Sequence, residues 1–298
     1  MVLCAGIAVE DFLFKVDCFP AAGEKVHAEA LVATAGGCAA NAAIAVARLG
    51  GMARFAGPVG SDEASGRFLD SLMRMGVDAG GVIRVEGGSI SVSGIFIDRE
   101  GEKMVATRPG EKLTGVGPPD PAGLVAGVDV VLADNRFPDF VAPICAAAHA
   151  RRIAVVLDAD RATQFDDPLF AFASHVVFSA EALRATASLI DLAAGLCRAA
   201  ETISGLLAVT NGPDDVLWMD EGVVRRLPAF SVRAVDTLGA GDTFHGAFAL
   251  ALAEGNDMVS ALRFAAAAAA LKCTRFGGIS GTPYRKETEA FLAGRGLT

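Results

Sequence analysis

One block of seventeen residues, Val235 to Ala251 (VDTLGAGDTFHGAFALA), constrains this chain more than any other. It reads as an extended piece, then a glycine-flanked turn, then a helix of small residues. Gly239 and Gly241 permit a tight bend with backbone close to a ligand, because no Cβ intrudes. The amides of Ala240, Gly241 and Asp242 then open the helix without intrahelical partners, and the helix dipole makes that end an anion site. Asp242 falls in the first turn, beside such an anion. A carboxylate is a poor phosphate ligand but a suitable base for an alcohol proton, with the amides holding the transferred phosphoryl group. An aspartate there also serves as an ordinary N-cap. The rest of the chain decides between the two.

With 298 residues, 52% of them hydrophobic and 20% charged, the chain is long enough for one large α/β domain. Its formal net charge of −9 and lack of any lysine- or arginine-rich run argue against nucleic-acid and anionic-membrane partners. A small anionic ligand stays compatible, since local amides and single cations can hold it. The six cysteines are scattered without a C-x-x-C pair, which reads as reduced thiols in a cytoplasmic protein. Four lone histidines without H-E-x-x-H do not make a zinc site. The first residues lack the basic segment of a signal peptide. The longest apolar stretch, Phe264 to Leu271, is too short to span a bilayer.

Taken in order, Val2 to Val9 reads as a buried strand ending at Glu10-Asp11. That would put Asp11 at a sheet edge where α/β folds bind ligands, although a turn-forming aspartate fits the same pattern. Residues 12–34 form a small β excursion. Gly36-Gly37 then opens an alanine-rich helix ending near Gly50, in which Asn41 asks for a polar partner. A strand at Ala53–Ala56, a helix at Asp62–Met75 and a short strand at Val82–Val85 follow. Ser91–Ile97 and Lys103–Thr107 make a hairpin around Asp98-Arg99-Glu100-Gly101, and the two β excursions together suit a four-stranded lid. Beyond the Gly/Pro-rich stretch 115–121 the rhythm is regular, with strands at Val128–Leu132, Ile153–Leu157, His175–Phe178 and Leu206–Val209. Several end in polar residues (Asp134-Asn135-Arg136, Asp158-Ala159-Asp160, Ser179, Thr210-Asn211-Gly212), and that clustering at one sheet edge marks a site.

These pieces resemble the PfkB/ribokinase family of carbohydrate kinases over nearly the whole chain. Gly36-Gly37…Asn41 is similar to the family's N-terminal signature, and Asp236 to Phe244 to its long C-terminal one. The resemblance implies a ribokinase-like three-layer α/β/α sandwich with a small β-sheet lid. Residues 1–298 then form a single kinase domain, with about 12–34 and 90–108 as the lid. It also implies an ATP- and Mg²⁺-dependent transfer to a sugar hydroxyl. Asp242 would be the base; Gly239, Ala240 and Gly241 would carry the anion hole. Asp11, Gly37 and Asn41 would hold sugar hydroxyls. Thr210 and Gly212 match a V-T-x-G strand end beside the nucleotide, and the helix Arg263–Thr274, with Lys272, would flank the adenine. Asp236 begins a loop that in many members helps bind a monovalent cation, which extends the expected cofactors to K⁺. A homodimer through lid edges is a further expectation from relatives.

The family's Asn-x-x-Glu motif departs here to Phe178-Ser179-Ala180-Glu181, which leaves Glu181 as the Mg²⁺ candidate; a helix-start acid satisfying the dipole fits it equally. The runs around Asp134-Asn135-Arg136, Asp158-Ala159-Asp160 and Leu271-Lys272-Cys273-Thr274-Arg275 look like the sulfofructose kinase branch. In that branch Lys25, Arg108 and Arg136 are the cations for a sulfonate, as guanidinium groups fork onto tetrahedral oxyanions. Thr107, where a larger amide is expected, departs from that branch. Ribose, fructose or a nucleoside is the alternative acceptor within the family. A non-catalytic sugar or nucleotide sensor is the alternative of another class. A Rossmann oxidoreductase would need a G-x-G-x-x-G after the first strand, which Gly6-Ile7-Ala8-Val9-Glu10 does not supply.

Overall fold

The computed structural model describes residues 1–297. Thirteen strands form two sheets: β1 (Val2–Ala5), β2 (Val9–Lys15), β3 (Ala30–Gly36), β4 (Ala53–Gly60), β5 (Asp78–Val85), β6 (Ser91–Ile97), β7 (Lys103–Arg108), β8 (Val130–Asp134), β9 (Ala154–Ala159), β10 (His175–Ser179), β11 (Leu206–Thr210), β12 (Val216–Asp220) and β13 (Val223–Leu227). The helices are α1 (Cys38–Arg48), α2 (Glu63–Arg74), α3 (Pro121–Leu124), α4 (Pro138–Ala150), α5 (Pro168–Phe172), α6 (Ala180–Ala187), α7 (Leu192–Ala199), α8 (Ala240–Ala253), α9 (Met258–Cys273) and α10 (Arg285–Ala293).

The larger sheet has the order β13-β12-β11-β10-β9-β8-β1-β4-β5 and is parallel except for β12, which runs against both its neighbours. Its central strands are apolar throughout, as strands covered on both faces must be. One buried cluster packs α1, α2, α8 and α9 on one face; a second packs α4, α6 and α7 on the other. From β1 the chain order runs one way through β4 and β5, and the other way from β8 outward. The crevice beyond β1 and β8 is therefore the switch point where such sheets bind ligands.

The smaller sheet has the order β3-β2-β6-β7. Here the structure corrects the sequence reading. Val2–Val9 is not one strand: β1 stops at Ala5, and β2 crosses into the smaller sheet. The break falls at Gly6, where φ is 153° and a Cβ would overlap the Asp134 carboxylate. Asp11 consequently belongs to the smaller sheet, not to the edge of the larger one. The hairpin of β12 and β13, which completes the sheet, had no counterpart in the reading from pattern. Its β13 (VVRRL) is mostly exposed and carries no alternating apolar signal.

The small residues of both glycine blocks have a packing purpose. A Cβ on Gly246 would overlap the Ala42 carbonyl, so α1 and α8 touch backbone to backbone. That contact holds the first turns of the two helices side by side.

Candidate active site

Each signature opens a helix, and the two openings face each other. Asn41 on α1 donates from Nδ2 to Asp242 Oδ2 on α8 at 2.7 Å. Asn41 is buried, and its Oδ1 has no partner among the described residues. An unpartnered buried amide oxygen beside a carboxylate suits a ligand hydroxyl. Gly239 takes a left-handed conformation (φ 76°) as the N-cap of α8. The Ala240 amide closes a turn onto Thr237 O at 3.2 Å, and Thr243 N returns to Gly239 O at 2.9 Å. Among the described residues the amides of Gly241 and Asp242 donate to nothing. Of the three helix-opening amides two are therefore free, and the Gly239 amide just before them also has no partner among the described residues. Nothing lies within 4 Å of where a Gly241 Cβ would stand, so the turn presents open space.

Burial pushes the Asp242 carboxyl up to about 6; Asp160 and Asp11 add to the rise, and the Asn41 amide and His245 oppose it. At neutral pH it is ionised yet poorly solvated, which suits a base. Burial also pushes Asp11 to about 6, against a hydrogen bond from Ser93. Strand pairing sets Asp11 beside both Thr34 and Ser93, and Ser93 beside Thr107, so one polar row crosses all four strands of the smaller sheet. Ser93 and Thr107 hydroxyls lie 3.0 Å apart, and Thr34 Oγ1 is buried without a partner among the described residues. On the same face as Asp11, Leu13, Ile95 and Ile97 pack against Leu238 and Phe276, seating the smaller sheet over the glycine turn. Gly36 and Gly37 are both required: a Cβ at Gly36 would overlap the Asp11 carboxylate, and one at Gly37, where φ is 97°, the Ile7 carbonyl.

Asp134, Asp158, His245 and Cys38, to which the sequence assigned no individual role, complete the floor. Asp134, fully buried at the end of β8, accepts from Ile7 N at 2.8 Å, Ala39 N at 3.1 Å and Arg136 N at 3.0 Å. It ties the end of β1 to the start of α1. His245 donates from Nδ1 to Gly241 O at 2.7 Å, and its Nε2 lies 3.4 Å from Asp158 Oδ1. Burial lowers the imidazole's pKa and raises that of Asp158, and the ring's hydrogen bond to the Gly241 carbonyl braces the first turn of α8. His245 was legible as the residue three past Asp242 on the same helix face. Cys38 lies near the same carboxylates, its Sγ 3.8 Å from Asp160 Oδ2.

The other expected residues divide. Arg136 pairs with Asp160, and its buried Nε lacks a partner among the described residues. Arg108 is exposed on the edge strand β7, held by Glu111 at 2.8 Å; Lys25 lies exposed in the 16–29 loop. Neither contacts the Asp242 cluster. Thr210 ends β11 and Gly212 lies two residues beyond it, at φ 58° with open space around it. Glu181 is exposed in the first turn of α6, after the N-cap Ser179, without an ion-pair partner among the described residues. Lys272 is a correction. Its side chain has 0% exposure and donates to Asp236 O at 2.7 Å, so it cannot touch a nucleotide. A separate cleft beside the entries to β10 and β11, lined by His149, Phe165 and Phe170, contains none of these groups.

A ligand crevice at the switch point of a parallel sheet, unpartnered amides and a raised carboxylate thus stand together at the mouth of the sheet. Comparison with known proteins gives the family. A profile of the pfkB family carbohydrate kinases matches residues 1–285. The ribokinase of Bacillus subtilis (strain 168) is 30% identical over 287 residues, covering 95% of this chain and 96% of its own. An ATP-dependent ribose-1-phosphate kinase of Halopiger xanaduensis is 31% identical over 295 residues, covering 99% and 98%. A crystal structure from Agrobacterium tumefaciens, provisionally named a ribokinase, superposes with a TM-score of 0.94 at 37% identity over 100% of this chain and 99% of its own. The chain belongs to the PfkB family of carbohydrate kinases, with a ribokinase-like fold, and its activity is phosphoryl transfer to an alcohol. Among the described residues no helix is long and apolar enough to cross a membrane.

Proposed function

We propose that the chain phosphorylates a primary hydroxyl of a small sugar, with Asp242 as the base, ATP as donor and Mg²⁺ as its counter-ion. The Asn41–Asp242 contact beside two unpartnered amides is the observation that carries this reading. ATP with Mg²⁺, when bound, supplies the phosphoryl group and screens its charge. The residues present suit them: Gly241 and Asp242 N–H groups for phosphoryl oxygens, the free Glu181 carboxylate for the metal, and Thr210 and Gly212 at the open strand end for the nucleotide.

The chain's own residues do the rest. Asp242 accepts the hydroxyl proton, and Asn41 holds that carboxylate in place while its Oδ1 takes a second sugar hydroxyl. Asp11, with the Ser93 and Thr107 hydroxyls, orients the sugar from the lid side. The bidentate Arg67–Glu10 pair, at 2.6 and 2.8 Å, anchors lid strand β2 to α2. A closed lid excludes water, the competing acceptor.

Ribose or a similar neutral sugar fits the hydroxyl and carboxylate lining. A second reading, an anionic sugar such as sulfofructose, has one observation in favour: the partner-free Nε of Arg136 at the strand-end cluster. The Halopiger relative is named for ribose-1-phosphate, itself an anionic sugar. We also read the lid edge as a homodimer contact, because all six residues of β7 are exposed, Met104 and Val105 included. Light scattering of wild type against Val105→Lys tests it.

Coupled ADP release over ribose, fructose, fructose 6-phosphate, sulfofructose and adenosine tests the function. Turnover abolished by Asp242→Asn is expected. Near-normal turnover in that variant refutes the base. Preference for an anionic sugar that Arg136→Met erases selects the second reading.

A further inference from the structure

Asp236 stands where the family resemblance calls for a monovalent-cation loop, and its surroundings do not fit such an ion. An ionised carboxylate offers about four lone-pair sites. Here Oδ1 accepts from Leu238 N at 2.8 Å, and Oδ2 from Gly277 N at 2.9 Å and Gly278 N at 2.8 Å. The fourth is taken by Lys272 Nζ, 3.2 Å from Oδ1. The same ammonium binds the Asp236 carbonyl at 2.7 Å, and both side chains are at 0% exposure. The free backbone acceptor and the free carboxylate site that an ion would need are therefore already used by a cation belonging to the chain.

The position of this pair is mechanically significant. Asp236 lies three residues before Gly239, and Leu238, whose amide it holds, packs under lid strands β2 and β6 through Leu13 and Ile95. The Val235 and Asp236 amides both return to Cys273 O, at 2.7 and 3.2 Å, so the loop is clamped to the last turn of α9. The lid hairpin also reaches this loop, with a Gly101 Cβ position 3.2 Å from the Val235 carbonyl. A fixed positive charge under the segment that leads into the anion hole organises its backbone dipoles, as a bound ion would.

We propose that the Lys272 ammonium is a covalently tethered replacement for the monovalent cation, making Lys272 a positioning residue for the Gly239–Asp242 turn and the enzyme indifferent to K⁺. Burial lowers the pKa of Lys272 while Asp236 opposes this, and a buried carboxylate left without its cation would be costly. Lys103 and Cys273 are the other titratable groups whose charge reaches it.

This inference rests on the kinase reading only for its activity arm, so the test has a second readout. The full-length protein is melted and assayed with ATP, Mg²⁺ and its accepted sugar in KCl, NaCl or choline chloride at one ionic strength. Wild type is expected to show the same melting temperature and rate in all three. A rise specific to KCl in either overturns the proposal, and the melting arm reports even if no sugar is turned over. Lys272→Met, which keeps the volume, and Lys272→Ala, which opens a cavity, are expected to lose about 10–100-fold in kcat in choline chloride through misplacement of the turn. KCl or ammonium chloride is expected to recover part of that loss in Lys272→Ala. A Lys272→Met enzyme with wild-type turnover, or a Lys272→Ala loss identical in all salts, reduces Lys272 to a packing residue and overturns the proposal. If neither variant folds, the wild-type salt comparison decides.

Discussion

Replacing Asp242 by asparagine is expected to stabilise the protein while it destroys activity. The Asp242 carboxyl, ordinarily near 3.8, is pushed up to about 6 chiefly by burial. The folded state thus binds the proton more tightly than the unfolded chain, and ionisation costs stability. The cost is absent below about pH 4, grows through the interval up to about pH 6, and is fully present at pH 7. Two pH units correspond to about 3 kcal/mol, reduced to about 1–3 kcal/mol by the open mouth of the site. Asparagine keeps an oxygen for the Asn41 amide and carries no charge. Urea unfolding of both proteins at pH 7 and pH 4 measures the difference: a variant more stable at pH 7, converging with wild type at pH 4. Turnover is expected to fall at least ~100-fold, the scale of a lost general base. A variant less stable than wild type at pH 7, or a gap that does not close in acid, refutes the reasoning that this carboxylate is held at a cost for catalysis.

Other outcomes follow from the same geometry. Asn41→Ala removes the hydrogen bond that favours ionised Asp242, so the acid limb of kcat/KM, near pH 6 in wild type, is expected to move up by about one pH unit; an unmoved limb in a full pH profile counts against the pairing. Gly37→Ala must hold a positive-φ, extended backbone (φ 97°, ψ 140°) that costs a non-glycine residue about 1–3 kcal/mol before its clash with Ile7 O is counted, and a thermal melt should show the loss. Arg67→Ala frees Glu10 and loosens the lid hinge; sugar KM is expected to rise several-fold with the nucleotide KM unchanged, which steady-state kinetics separates.

Much of the architecture was legible because it depends on local rules. Alternating strand and helix patterns, polar strand ends and two glycine-opened helices located the larger sheet's central strands, and the contact of Asn41 with Asp242 joins residues that each signature had already singled out. Where the reading failed, the deciding contact lay far along the chain. Val2–Val9 is uniformly apolar, and only Asp134, more than a hundred residues away, makes Gly6 the point where the strand must break. The resemblance puts Lys272 beside the adenine, and only the fold reveals that it is sealed against Asp236.

The sequence alone determined the family, the chemistry of the glycine turn and the candidate base, because phosphate-holding amides and a first-turn carboxylate are specified within a few consecutive residues. Tertiary structure decided which charges are available. Arg136 answers to Asp160, Arg108 to Glu111, Lys272 to Asp236, and His245 to Gly241 and Asp158. Whether a charged side chain meets a ligand or a partner depends on what the fold places beside it, and electrostatic energy follows distance in space and burial, not separation along the chain.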